Sequence, residues 1–175
     1  MTDPQKTEVS IAHAGEHLFQ YAIDRGDMNA VLDTLPPFVP EKRVTLEYEI
    51  QILRVVSVGW SIAFFLSDFP LKKKLEKHFW EQIRGFSETL STSANLTAGT
   101  DVDYFDELKN RLDRYVDALD TAGQISQPAM AIGPAFAKAC GDINDACAVL
   151  AGSKMFTLTV NAVRAYLDGF VDQKE

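Results

Sequence analysis

Apolar residues recur along this chain every three to four positions, and the strict alternation a half-buried strand needs is scarce. The periodicity predicts a first helix over about Thr7–Arg25, with Ile11, Leu18 and Ala22 on one side and Phe19 and Ile23 beside them. Gly26-Asp27 ends it and opens a short second helix, Met28–Leu35. The stretch "PPFVPEKR" follows, a stiff extended connector, because proline fixes φ and pushes its predecessor out of the helical region.

The third helix, about 44–67, is the hydrophobic centrepiece. Its apolar side chains cover most of the circumference, which is the pattern of a helix surrounded by others. The fourth begins near Pro70 and carries Leu71, Leu75, Phe79, Ile83, Phe86 and Leu90 on one face. The polar stretch 91–100, "STSANLTAGT", is expected to be a flexible loop. A strongly amphipathic fifth helix spans Asp103–Thr121, and its polar face is mainly acidic. A sixth is expected from Pro134, on the stripe Phe136, Cys140, Ile143, Cys147 and Leu150. A second stripe, Phe156, Val160, Val163, Leu167 and Phe170, points nearly the opposite way, so a break is expected at Gly152-Ser153.

The fold class is therefore all-α: an irregular bundle of six to seven helices around the helix at about 44–67. The whole chain, 1–175, reads as one domain with residues 1–6 disordered. The apolar run Ile50–Leu66 contains Gln51 and Arg54 and falls short of the roughly 20 residues a membrane span wants, so it reads as a buried helix. A net charge of −8 gives no general attraction to phosphate backbones or anionic membranes, so neither nucleic acid nor a membrane is expected as a partner. The polar N-terminus lacks the pattern of a signal peptide, and a cytoplasmic location is expected.

Four groups of residues could carry chemistry. His13-Ala14-Gly15-Glu16-His17 matches H-x-x-E-H, in which two histidines bind zinc and the glutamate acts as base. His13, Glu16 and His17 are its candidate ligands and base, yet they face away from Ile11, Leu18 and Ala22, and a solvated pair is the preferred reading; no metal and no cofactor is expected. Cys140 and Cys147, if on one helix, lie about 10 Å apart, too far for a disulfide, and are expected to be free thiols in the core. Trp80 stands among Lys73, Lys77 and Arg84 and is expected to pack under a neighbouring element. Glu47, Gln51 and Arg54 form a polar stripe on the central helix; a charge there needs a partner, so they are the candidate site for a small-molecule or anionic ligand.

Three functions follow in order of preference. The first is a non-enzymatic interaction or adaptor protein, self-associating as a homodimer because several helices carry wide apolar faces. The second is a small-molecule or anion binder at the stripe of the central helix. The third is a metal-dependent hydrolase using the H-x-x-E-H turn.

Overall fold

A computed structural model describes residues 4–99, 101–121 and 127–172. Helices α1 (Pro4–Ile23), α2 (Gly26–Asp33), α3 (Pro40–Phe65), α4 (Lys72–Ala98), α5 (Tyr104–Thr121), α6 (Pro128–Ala139) and α7 (Ala146–Asp172) account for the described secondary structure, with no strand among the described residues. The all-α bundle read from the periodicity is the fold.

α3 lies at the centre. Helices α4, α1, α7, α6 and α5 surround it in that order, with the α1 to α7 join made by the ring of His17 stacked on Tyr166. Pairs along the axes give the directions. Lys42 meets Asp145, Trp60 meets Phe156 and Phe69 meets Phe170, so α3 and α7 run parallel. Nearly every residue from Ile50 to Ile62 is buried. Each fully buried Val, Leu or Ile contributes about 1.5–3 kcal/mol, so this one helix organises much of the core.

Several boundaries differ from those read in the sequence. α1 begins at Pro4 rather than Thr7; residues 1–3 of the segment expected to be disordered lie outside the described residues. α3 begins at Pro40 rather than Val44, because a proline at the first position lacks only an N–H that would be unpaired anyway.

The expected loop at 91–100 is helical as far as Ala98. The hydroxyls of Ser91, Thr92 and Thr97 donate to carbonyls one turn back, so these polar residues sit inside the helix without unpaired groups. The stop comes from Gly99, left-handed at φ 62°.

The expected break at Gly152-Ser153 lies instead at Cys140–Asp145. Gly141, at φ 106°, closes α6: its N–H donates to the Lys138 carbonyl and that of Asp142 to the Ala137 carbonyl, a Schellman arrangement. Asp145 then caps α7, its Oδ1 accepting from the N–H groups of Cys147 (3.0 Å) and Ala148 (3.3 Å). α6 starts at Pro128 and holds Pro134 inside it. Gly152 sits in mid-helix because α6 crosses there: a methyl on it would lie 2.6 Å from Cβ and Cγ of Phe136.

Candidate functional site

The polar residues of α3 divide between two sides. Glu47, on the half-buried side, accepts from Arg43 Nε at 2.8 Å and lies 4.0 Å from Arg25. Gln51 is half-buried. Arg54 turns inward and is 1% exposed. The three candidate ligand residues thus share a stripe but not a set of partners.

Arg54 is held by its own chain. Nη1 donates to the Asp24 carbonyl at 2.6 Å, Nη2 donates to Asp27 Oδ2 at 3.0 Å, and the guanidinium lies 4.4 Å from the centre of the Tyr21 ring. Asp24 follows the last residue of α1 and Asp27 lies in the first turn of α2. One cation therefore satisfies a carbonyl at the negative end of α1 and a carboxylate at the start of α2, fixing the turn between them. Burial pushes the Tyr21 hydroxyl up, against the opposing pull of Arg54.

A second buried pair was not singled out in the sequence. Glu49, 3% exposed, accepts from Arg111 Nε at 2.8 Å and Nη2 at 2.6 Å. The bidentate geometry is the strong form of this contact and pushes the Arg111 guanidinium further up. Tyr104 and Tyr115 are buried near it, with hydroxyls pushed up mainly by desolvation and without hydrogen-bond partners among the described residues. The signal was available: Glu49 occupies the apolar stripe Leu46, Ile50, Leu53, and Arg111 lies one turn from both Leu108 and Tyr115.

His13, Glu16 and His17 are exposed, and no group of three His, Cys, Asp or Glu side chains converges on a metal-sized site among the described residues. Gly15 between them is buried where α1 crosses α4; a methyl there would lie 2.7 Å from Cβ of His78. Trp80 is half-buried, edge-on to Phe79 at 5.1 Å, with its indole filling the space a side chain on Gly59 would need. Cys140 and Cys147 are free and half-buried; Cys140 follows the last residue of α6 and packs against the edge of the core, and Cys147 lies in the first turn of α7. Burial pushes the Cys140 thiol up to about 12.

The outer side of α7 is the other distinctive surface. α3 and α7 are both long and apolar enough to cross a membrane, but 67% of the most apolar stretch of α3 is buried inside the bundle and only 39% of that of α7. Beside α7, Trp60, Pro128, Phe156 and Val160 line a shallow hollow of about 260 Å³. Trp60 continues it outward, stacked at 4.7 Å on Phe64. Phe64, Met130 and Leu158 are each about half exposed or more. These residues form an apolar band; Thr157, at its edge, also lines a separate groove between α2 and α7.

No family model, curated protein or solved structure matches this chain. The fold defines the class, an all-α bundle built round a buried central helix.

Proposed function

We propose that this chain is a non-enzymatic helical interaction protein that pairs with a second copy of itself through the apolar band on α7, Trp60 and Phe64. The observation that supports this reading is the unequal burial of two apolar helices: about two thirds of the most apolar stretch of α3 is covered by its own chain, and well under half of that of α7. Interface centres are depleted in charge and enriched in aromatic residues, and the part of the band open to a partner is Trp60 and Phe64, stacked at 4.7 Å beside Pro128 and Val160. A two-fold contact of about 800 Å² per partner is the ordinary size for a stable pair.

Sedimentation at tens of micromolar tests it. The parent chain is expected to run as a dimer, and the double variant Phe64→Ser, Met130→Ser as a monomer with an unchanged helical spectrum. A parent chain sedimenting at 19.4 kDa counts the reading out.

A further inference from the structure

A groove of about 580 Å³ lies between α2 and α7. Ala30, Val31 and Thr34 form one wall; Thr157 and Leu158 form most of the other. The single charged group lining it is Lys154. Its ammonium donates to Thr34 Oγ1 at 3.1 Å, and that hydroxyl donates onward to the Val31 carbonyl at 2.7 Å.

No carboxylate reaches Lys154 within ion-pair distance among the described residues. On α7 the positions one turn away are Leu150, Ala151, Thr157 and Leu158. On α2 the neighbouring acid, Asp33, lies 3.7 Å from Arg43 instead. What sets Lys154 apart is its place: it is the charged group on an otherwise uncharged groove lining. Thr34 takes one of the three ammonium protons and leaves the others free to donate.

We propose that this groove binds a single-chain amphiphilic carboxylate, taken up as the free monomer, with its tail along Val31 and Leu158 and its carboxylate on Lys154. The volume is within the range of small-molecule sites, about 300–1,000 Å³, and such sites are mostly apolar with a few placed polar groups. The inference stands on the unpaired Lys154 and does not depend on self-association.

Calorimetric titration with dodecanoate below its micelle concentration tests it. The parent chain binds one molecule per chain. Lys154→Met weakens dodecanoate about tenfold or more, the loss of one charge-assisted hydrogen bond, and leaves the neutral methyl ester bound as before. Ala30→Trp, on the exposed side of α2, fills the groove and abolishes both. Circular dichroism confirms that each variant folds. Absence of dodecanoate binding by the parent overturns the proposal, as does equal affinity in Lys154→Met. Binding that survives Ala30→Trp but fails in Phe64→Ser, Met130→Ser places the ligand on the band and overturns it too. So does binding to anionic phospholipid vesicles with none to the monomer. A monomeric parent that still binds dodecanoate through Lys154 separates this inference from the dimer.

Discussion

Arg111 on α5 grips Glu49 on α3 through two parallel hydrogen bonds of 2.8 and 2.6 Å, with Glu49 almost wholly out of solvent. Arg111 also lies 3.5 Å from Glu107, one turn back on its own helix. The pair sets the register of α5 on the central helix, because a bidentate contact tolerates little sliding.

Arg111→Met is therefore expected to cost about 3–5 kcal/mol in urea denaturation, since it leaves an uncompensated carboxylate in the core. The double change Glu49→Leu, Arg111→Met is expected to recover most of that loss, as apolar replacements of buried pairs often do. A single variant losing less than about 1 kcal/mol would mean that Glu49 reaches water or another donor.

The glycines of the helices sort by what surrounds them. Gly85 and Gly169 have nothing within 4 Å of an added methyl, whereas Gly152 would press one against Phe136. Replacing Gly85 or Gly169 with alanine is expected to raise stability by about 0.8–1 kcal/mol each, the helix-propensity difference. Gly152→Ala is expected to lower it by about 1–3 kcal/mol through overpacking, despite the same propensity gain. Thermal melts of the three single variants check the ordering; a stabilised Gly152→Ala would show that α6 and α7 can separate freely.

These glycines also show how far the sequence could be read. Gly152-Ser153 reads as the end of the sixth helix because Phe136, Cys140, Ile143, Cys147 and Leu150 keep helical spacing across the true break, which lies earlier in the chain at Cys140–Asp145. The local signals at the real break, Gly141 as terminator and Asp145 as cap, were present but were outweighed by the stripe. Of that stripe only Phe136 lies in the core: Cys140 and Cys147 are half-buried, and Ile143 (52%) and Leu150 (45%) are exposed, because the turn at Gly141 starts α7 in a new phase that buries Ala148 and Ala151 instead. Nor does amphipathic periodicity report what a glycine packs against, which depends on a helix elsewhere in the chain. The same limit applies to the polar stripe. Arg54 was legible as a charge in need of a partner, but the choice of Asp24 and Asp27 follows from the α1–α2 turn folding over α3.

Asp145 joins the start of α7 to α3 through Lys42, whose Nζ lies 2.6 Å from Oδ2. Burial pushes the Asp145 carboxyl up, but the hydrogen bonds from Lys42 and from the Ala148 and Cys147 N–H groups outweigh it and hold the group below its ordinary range. A carboxylate depressed in the folded state stabilises at pH above its unfolded value and loses that contribution as pH falls through the folded value. The Asp145 hydrogen bond pushes Lys42 up, so its share is complete below the ordinary lysine range and fades as pH rises through the folded value. Lys42→Met is thus expected to cost at most about 1 kcal/mol at neutral pH, as part-exposed pairs do, and nothing at acid pH once Asp145 is protonated. Melting curves at pH 7 and at strongly acid pH, parent against variant, check this; a gap that persists in acid would tie the effect to packing rather than charge.

Arg54 decides between a structural and an anion-binding role for the centre of the bundle. Its partners are asymmetric: the arginine is buried, while the side chains of Asp24 and Asp27 are 63% and 48% exposed and can regain water if it is removed. Truncation therefore does not strand a buried carboxylate, and the cost of Arg54→Ala comes from the emptied space and the freed carbonyl of Asp24. By analogy with other large-to-small changes in a core, that is about 2–5 kcal/mol. Arg54→Met refills much of the space and is expected to be clearly milder, within about 1–2 kcal/mol of the parent. Because the guanidinium already holds a carbonyl, a carboxylate and the face of Tyr21, phosphate or sulfate is expected to shift the melting temperature of the parent and of Arg54→Met equally. An anion-dependent rise present in the parent and missing in Arg54→Met would show that α2 lifts away to admit a ligand, and would move Arg54 from a clasp on the α1–α2 turn to a binding residue.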